Sequence, residues 1–214
     1  MITWEIDGRE VKLETDKDLF SPEAIDRGTL AMLSVTEIKP DDKVLDLGCG
    51  YGTVGIYAIL HGHVRDITMV DINSTAVEIS RKNLQSLMSA ENNESDINFS
   101  IDVSDGLEEV KDYDYSLIMT HPPYHTDFSV AKHFIEDGFK HLIVGGRMVM
   151  VTKRRTWYEN KLKSVFGGVK IVEVDGYYVF TSQKRDVRYP KKEKKNTSGL
   201  SKKLERKQRN KKRL

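Results

Sequence analysis

The chain has 214 residues, of which 38% are hydrophobic and 31% charged, with a net charge of +1; that is enough for one domain with an appendage and for a core that needs no covalent staples. Its single cysteine excludes a disulfide scaffold and a thiolate metal cluster and fits a reducing cytosol. No apolar stretch approaches the roughly 20 residues of a membrane span, and the opening MITWEIDGREVKLE is too charged for a signal peptide, so a soluble cytoplasmic protein is expected.

The near-neutral total hides a division. Residues 184–214 hold 15 Lys/Arg against 3 Asp/Glu, while residues 1–183 hold 19 against 30. An acidic body, residues 1–183, followed by a basic tail, residues 184–214, points to a polyanionic partner, because each cation placed on a phosphate releases counterions. A solubilising tail, or one folded back on its own body, is the competing reading. Within the tail PKKEKKNTSG offers no apolar anchor, so disorder is expected there.

In chain order, short Val/Ile/Leu-rich runs alternate with helical patterns from residue 43 onward, as βαβ units do when a mostly parallel sheet is covered on both faces. The expected strands are Val44–Leu47, Ile67–Val70, Ile97–Val103, Ser116–Thr120 and Arg147–Val151. Expected helices are Thr53–Leu60, Ser74–Met88 opened by a Ser cap, Asp127–His141 opened by an Asp cap, and Trp157–Phe166. Val169–Val174 and Tyr177–Gln183 flank Asp175-Gly176, a pair that favours a tight hairpin turn. The pattern predicts an α/β, Rossmann-like fold with a seven-stranded, mostly parallel sheet that ends in an antiparallel hairpin.

The first strand runs straight into Asp46-Leu47-Gly48-Cys49-Gly50-Tyr51-Gly52, a glycine turn that brings backbone N–H groups near a ligand at a helix N-terminus. Gly50–Gly55 also satisfies G-x-G-x-x-G, and Asp71 follows 21 positions after Gly50, as a dinucleotide site requires. Charge separates the readings. A carboxylate at Asp46 opposes a pyrophosphate but favours the ammonium and sulfonium of S-adenosylmethionine, whose α-carboxylate suits helix N–H groups. Asp71, at the end of the second strand in Met69-Val70-Asp71-Ile72-Asn73, then stands where ribose hydroxyls need an acceptor; alone it would read as a helix cap. Cys49 packs inside the turn with nothing to activate it.

The fourth strand ends in Thr120-His121-Pro122-Pro123-Tyr124. Two prolines at the carboxyl edge of a parallel sheet fix an extended turn whose carbonyls point into the crevice. A carbonyl plus a side-chain acceptor can hold the two hydrogens of an amine while Tyr124 stacks on a planar ring, which suits a nucleobase with an exocyclic amine.

Together D-L-G-C-G-Y-G, V-D-I-N and the P-P-Y turn resemble the class I S-adenosylmethionine-dependent methyltransferases. More narrowly, they resemble the small-domain group that contains the 16S ribosomal RNA guanine-N2 methyltransferases. The likeness covers about residues 15–185 and takes in Phe20-Ser21, Ile25–Thr29, Ser104-Asp105 and a Gly145-Gly146 turn before Arg147. The resemblance implies that Asp46, Gly48, Cys49 and Gly50 line the methionine end of the cofactor and that Asp71, with Ile72 beside it, takes the ribose. It places Ser104 or Asp105 near the adenine, and Phe20, Asp26 and Thr29 over the pocket; Asp102 is the weaker candidate because strand alternation, with Ile97, Phe99, Ile101 and Val103 on one face, turns it away. It assigns catalysis to His121, Pro122, Pro123 and Tyr124, with no metal, and RNA, ribosomal RNA first, as partner through the tail. The chain departs from the family at one position, because the family turn usually begins with Asn or Asp and this one begins with His121. Imidazole loses its acceptor on protonation, so activity is expected to fall below about pH 6.5.

Several residues stand outside this reading. His61-Gly62-His63 sits where a helix ends, where His and Gly are common. Lys153-Arg154-Arg155 precedes Trp157 and either meets RNA or opens a helix against the sheet. No Pro-Cys nucleophile is present, against pyrimidine C5 methylation. A cofactor-binding RNA factor without catalysis, or a methyltransferase of protein amides or small molecules, are the alternatives in other classes.

Overall fold

Five consecutive strands point the same way because each connecting segment crosses back over the sheet, three of them as helices and the one at residues 104–114 as irregular chain. The computed structural model describes residues 1–91, 97–123 and 128–186. Its main sheet comprises β3 (Lys43–Leu47), β4 (Asp66–Asp71), β5 (Asn98–Val103), β6 (Tyr115–Thr120), β7 (Leu142–Thr152), β8 (Lys170–Val174) and β9 (Tyr177–Gln183) in the order β5-β4-β3-β6-β7-β9-β8. Strands β3 to β7 pair in parallel, and β9 pairs antiparallel with both β7 and β8. The chain leaves β3 toward β4 on one side and comes back to β6 on the other, which opens a crevice at the carboxyl ends of β3 and β6.

Strand alternation sends successive side chains to two apolar layers. Val44, Ile67, Met69, Leu117 and Val149 pack under α1 (Arg27–Val35), α2 (Thr53–Leu60) and α3 (Ser74–Glu91). Leu45, Leu47, Ile118, Met148 and Phe180 pack under α4 (Ser129–His141) and α5 (Thr156–Phe166). Asp46 lies on the first face, between the apolar Leu45 and Leu47, and is only 1% exposed.

The expected strands and hairpin are present, with four departures. A two-stranded sheet of β1 (Ile2–Ile6) and β2 (Arg9–Leu13), turning at Asp7-Gly8 with both φ positive, precedes the expected elements and packs through Ile6 and Leu13 near Ile56 and Ile79. Helix α1 is likewise additional. Asn73, not Ser74, caps α3, since its Oδ1 accepts the Thr75 amide at 2.9 Å; α3 therefore already contains Ser74. The Gly145-Gly146 turn lies within β7 as a bulge: Tyr115 pairs with Leu142 and Leu117 with Arg147. The looped backbone is held by Gly145 N–H donating to Lys184 O at 2.7 Å and Lys184 N–H to Gly146 O at 2.9 Å.

Lys184 thus belongs to the folded body rather than to the tail. It is 7% exposed, and its Nζ donates to Leu142 O at 2.6 Å and Lys140 O at 3.4 Å, near the end of α4. Residues 187–214, most of the expected tail, lie outside the described residues, as does Asp127, the expected cap of α4; that helix starts at Ser129 with Phe128 before it. No helix among the described residues is long and apolar enough to cross a membrane.

Candidate active site

The carboxyl ends of β3, β4, β5 and β6 open into one cleft of about 460 Å³. Of the residues singled out in the sequence, Thr29, Asp46, Gly48, Cys49, Gly50, Asp71, Ile72, Ser104, Asp105, His121, Pro122 and Pro123 all line it. Phe20 and Asp26 line it from the N-terminal segment. Tyr124 lies outside the described residues, and Asp102, exposed on β5, is absent from the lining.

The glycine turn works differently from the expectation. Gly48 and Cys49 N–H both donate to Val70 O, at 2.8 and 3.0 Å, Gly52 N–H donates to Cys49 O at 2.9 Å, and Gly50 N–H donates to Asp71 Oδ2 at 2.9 Å. These amides are spent inside the turn. What the glycines contribute is space: Gly48 and Gly50 have positive φ, and a Cβ at either would meet nothing within 4 Å. Asp46 Oδ2 accepts the Gly55 amide of α2 at 3.2 Å. Burial pushes its carboxyl up to about 7; the Gly55 bond opposes the rise and the Asp71 charge adds to it. Cys49 is buried, and burial, with the Asp46 and Asp71 charges, pushes its thiol well up, so it is an inert packing residue.

Each Asp71 oxygen takes one backbone amide, Oδ2 from Gly50 and Oδ1 from Asn73 at 2.9 Å. A carboxylate has about four acceptor sites, so the fixed group can still receive two donors from a ligand. Ser104 is buried, its N–H donates to Asp71 O at 3.0 Å and its Oγ accepts the Glu109 amide at 3.2 Å. Asp105 beside it is exposed.

The N-terminal segment is strapped over the turn. Tyr51 OH donates toward Ser21 O and Ala24 O at 3.3 and 3.4 Å, and Asn83 Nδ2 donates to Tyr51 O and Glu14 O at 2.8 and 2.9 Å. This brings Asp18, Phe20 and Asp26 to the cleft. Asp18 had no signal in the sequence. Val130 and Phe134, one helical turn apart on α4, line the opposite wall; their spacing is legible, but nothing in it separates a cleft wall from a core stripe. Among the described residues the lining therefore carries five aspartates, Asp18, Asp26, Asp46, Asp71 and Asp105, and no lysine or arginine.

Outside the mouth the sign reverses. Beyond the end of β7, Lys153 Nζ lies over the Tyr177 ring at 4.8 Å, the Arg154 guanidinium over Phe128 at 5.3 Å and that of Arg155 over Tyr178 at 5.7 Å. Trp157 stacks on Phe128 with centroids 4.4 Å apart, so the helix-opening reading of Trp157 is structurally satisfied while the cations stay exposed. His61 pairs with Asp7 at 2.8 Å and stacks on Tyr57. Among the described residues no group of three His, Cys, Asp or Glu is placed to hold a metal ion.

Comparison with known proteins follows the same lines. A ribosomal RNA large subunit methyltransferase G from Vibrio atlanticus is 29% identical over 175 residues, covering 79% of this chain and 44% of the relative. A ribosomal RNA small subunit methyltransferase C from Psychromonas ingrahamii is 28% identical over 170 residues, covering 78% and 46%. The chain spans somewhat less than half the length of these curated relatives. Among solved structures, the T. thermophilus 16S rRNA N2 G1207 methyltransferase in complex with AdoMet and guanosine shares the fold with a TM-score of 0.73 at 24% identity, over 86% of this chain and 50% of that one. A methyltransferase from Pyrococcus furiosus shares it with a TM-score of 0.63 at 14% identity, over 82% and 89%. The family model for the methyltransferase small domain matches residues 10–181, and the chain belongs to that family.

Proposed function

We propose that this chain is an S-adenosylmethionine-dependent N-methyltransferase of the cytoplasm that acts on an exocyclic amine of a base in RNA, ribosomal RNA in the first place. The carrying observation is the charge of the cleft: among the described residues five aspartates and no lysine or arginine line it. A pyrophosphate would meet repulsion there and find the amides of Gly48, Cys49, Gly50 and Gly52 already engaged. A ligand with an ammonium and a sulfonium suits the same lining, and a cleft of about 460 Å³ is of the size that holds a nucleoside-sized molecule.

In this reading Asp46 faces the cationic methionine end, Asp71 accepts from the ribose, and Asp105 and Ser104 lie toward the base. When bound, the cofactor supplies a methyl group already activated by positive sulfur. The chain then has to align the target nitrogen with that carbon. Pro122, buried, and His121 accept the hydrogens of the amine, which favours the pyramidal nitrogen that develops during attack. Tyr124 stacks on the base. The names of the relatives support ribosomal RNA, and the exposed Lys153 and Arg154, with the tail, supply the cationic surface outside an acidic cleft.

The test is mass spectrometry of modified nucleosides in ribosomal RNA from cells with and without the protein. Loss of one N-methylated nucleoside is the expected result. Identical profiles, with methyl transfer found in protein or metabolite fractions instead, would refute it.

A further inference from the structure

We infer that Asp26 and His121 work as a couple: Asp26 holds the proton-bearing Nδ1 of His121, so that Nε2 keeps its lone pair and receives the proton that the target amine sheds on methylation. The inference rests on the proposed function and deepens it, with Asp26 as a positioning residue and His121 as the catalytic one.

The two residues are 95 positions apart in the chain and meet because the N-terminus of α1 packs against the end of β6. Asp26 is the N-cap of α1; its Oδ1 accepts the Thr29 amide at 2.9 Å and lies 3.1 Å from His121 Nδ1. Thr29 Oγ1 completes the triangle, 3.4 Å from Asp26 Oδ1 and 3.2 Å from His121 Nδ1. Both side chains are largely covered, 8% exposed for His121 and 15% for Asp26, and both line the cleft. The imidazole is walled in by Phe20 and Tyr177, each edge-on, at 5.6 and 6.4 Å. Gly28 makes the approach possible, since a Cβ there would lie 2.7 Å from His121 Cε1 and 2.6 Å from the Tyr177 ring.

The tautomer follows from charge. Burial pushes the Asp26 carboxyl up, but the bond from His121, the Thr29 amide, the His121 charge and the Gly28 amide together hold it below its usual range. An ionised carboxylate only accepts, so at 3.1 Å the Nδ1 must be the donor, and a neutral ring then carries its lone pair on Nε2. The Asn or Asp that usually opens this turn in the resembling family can accept a hydrogen bond but is a far weaker proton acceptor at neutral pH. Here a histidine with a buried counter-charge stands in that place.

The step balances. The nitrogen of the target amine forms a bond to the methyl carbon as the carbon–sulfur bond breaks with its pair remaining on sulfur, which becomes neutral. The positive charge now on nitrogen is relieved when an N–H proton passes to Nε2; the imidazolium is paired with Asp26 and later releases the proton to water. The other charged groups lining the cleft among the described residues are Asp18, Asp46, Asp71 and Asp105, and Lys153 Nζ lies over the Tyr177 ring that flanks the imidazole.

Two measurements test the couple in the full chain. Nitrogen-15 NMR of the histidine rings, without any substrate, is expected to show neutral His121 protonated at Nδ1, and this preference to weaken in Asp26→Asn. A ring protonated at Nε2 instead would overturn the inference. The second is a double-mutant cycle on methyl transfer to RNA from cells lacking the protein. Asp26→Asn, which preserves helix capping, is expected to lower kcat about tenfold or more and to move the acid limb of the rate to lower pH, because the imidazolium loses its counter-charge. His121→Asn is expected to flatten the profile between about pH 5.5 and 8, and adding Asp26→Asn to it to cost less than about twofold. Equal losses in both backgrounds, or an unchanged pH profile in Asp26→Asn, would reduce Asp26 to a helix cap. Absence of transfer by the wild-type chain would refute the proposed function, while the ring tautomer would still decide the couple.

Discussion

Asp46→Asn separates the electrostatic account of the cleft from a purely steric one. Asp46 is 1% exposed and its carboxyl is pushed up to about 7, chiefly by burial. Against an ordinary value of 3.8, at about 1.36 kcal/mol per unit, keeping it ionised in the ligand-free fold costs about 4 kcal/mol. The sign is that of an acid whose folded value is raised. The unfolded chain gives up this proton near pH 4 and the folded chain only near pH 7, so the penalty grows across that window and is complete above it. Between pH 8 and pH 5.5 wild type should therefore recover about 2 kcal/mol relative to Asp46→Asn, which for a body of this size is roughly 4–8 °C in Tm. Urea and thermal melts of both proteins across that range read the difference directly, since every other titrating group is common to the two. With the cofactor, about half a proton should be released per molecule bound at pH 7, measured by calorimetry in buffers of different ionisation enthalpy, and none by the Asn variant. Stability curves that stay parallel over the whole range would show that Asp46 is not an ionising group in the cleft, and the charge argument for the ligand would fall with it.

Three further outcomes are expected. Gly52→Ala should destabilise by about 1–3 kcal/mol in urea melts, because φ is 92° and the new Cβ would sit 2.6 Å from Ser80 Oγ; adding Ser80→Ala should return only the steric part. Tyr124→Ala should cost about 1–3 kcal/mol of base binding by titration with substrate RNA; unchanged kinetics would make it a packing residue. Truncation after Asp186, which keeps the buried Lys184, should weaken RNA binding and lower its salt slope; the pair Lys153→Ala and Arg154→Ala should lower the slope by about two more. A slope indifferent to both changes would leave RNA docking without a cationic surface.

The strands of the central sheet were legible because a strand covered on both faces is rich in apolar residues on both, as Val44, Leu45 and Leu47 are in β3 and Leu117, Ile118 and Met119 in β6. The β1–β2 hairpin carried its own signal. Ile2, Trp4 and Ile6 alternate with polar residues, and Asp7-Gly8 is the same turn pair that located β8–β9. Against that signal stand Glu5, Arg9, Glu10 and Lys12, which leave the segment few apolar residues. Its apolar side finds cover only in tertiary contact with Ile56 and Ile79, and no local rule anticipates that. Helix α1 lacks charged residues in its first and last turns that would favour its dipole. The β7 bulge could not be read at all, since Gly145-Gly146 promises a turn ahead of Arg147–Val151, and only the pairing of Leu142 with Tyr115 shows that the strand has already begun before it.

At the site, residue types were legible and pairings were not. Asp46, Asp71, Asp105 and the proline turn fall at strand ends, so alternation plus strand order suffices to gather them. The partners of the Gly48 and Gly50 amides are not legible, because a glycine turn looks the same whether its amides face a ligand or its own strand; only the Val70 and Asp71 acceptors decide it. His121 and Asp26 were each singled out, one as a departure from the family turn and the other as part of a cover. Nothing local links them, since their 3.1 Å approach depends on a helix cap reaching across the sheet past a glycine at position 28. In the proposed couple His121 has its use only because a largely covered acceptor faces Nδ1, so the histidine at this position is intelligible only together with Asp26, Gly28 and Thr29.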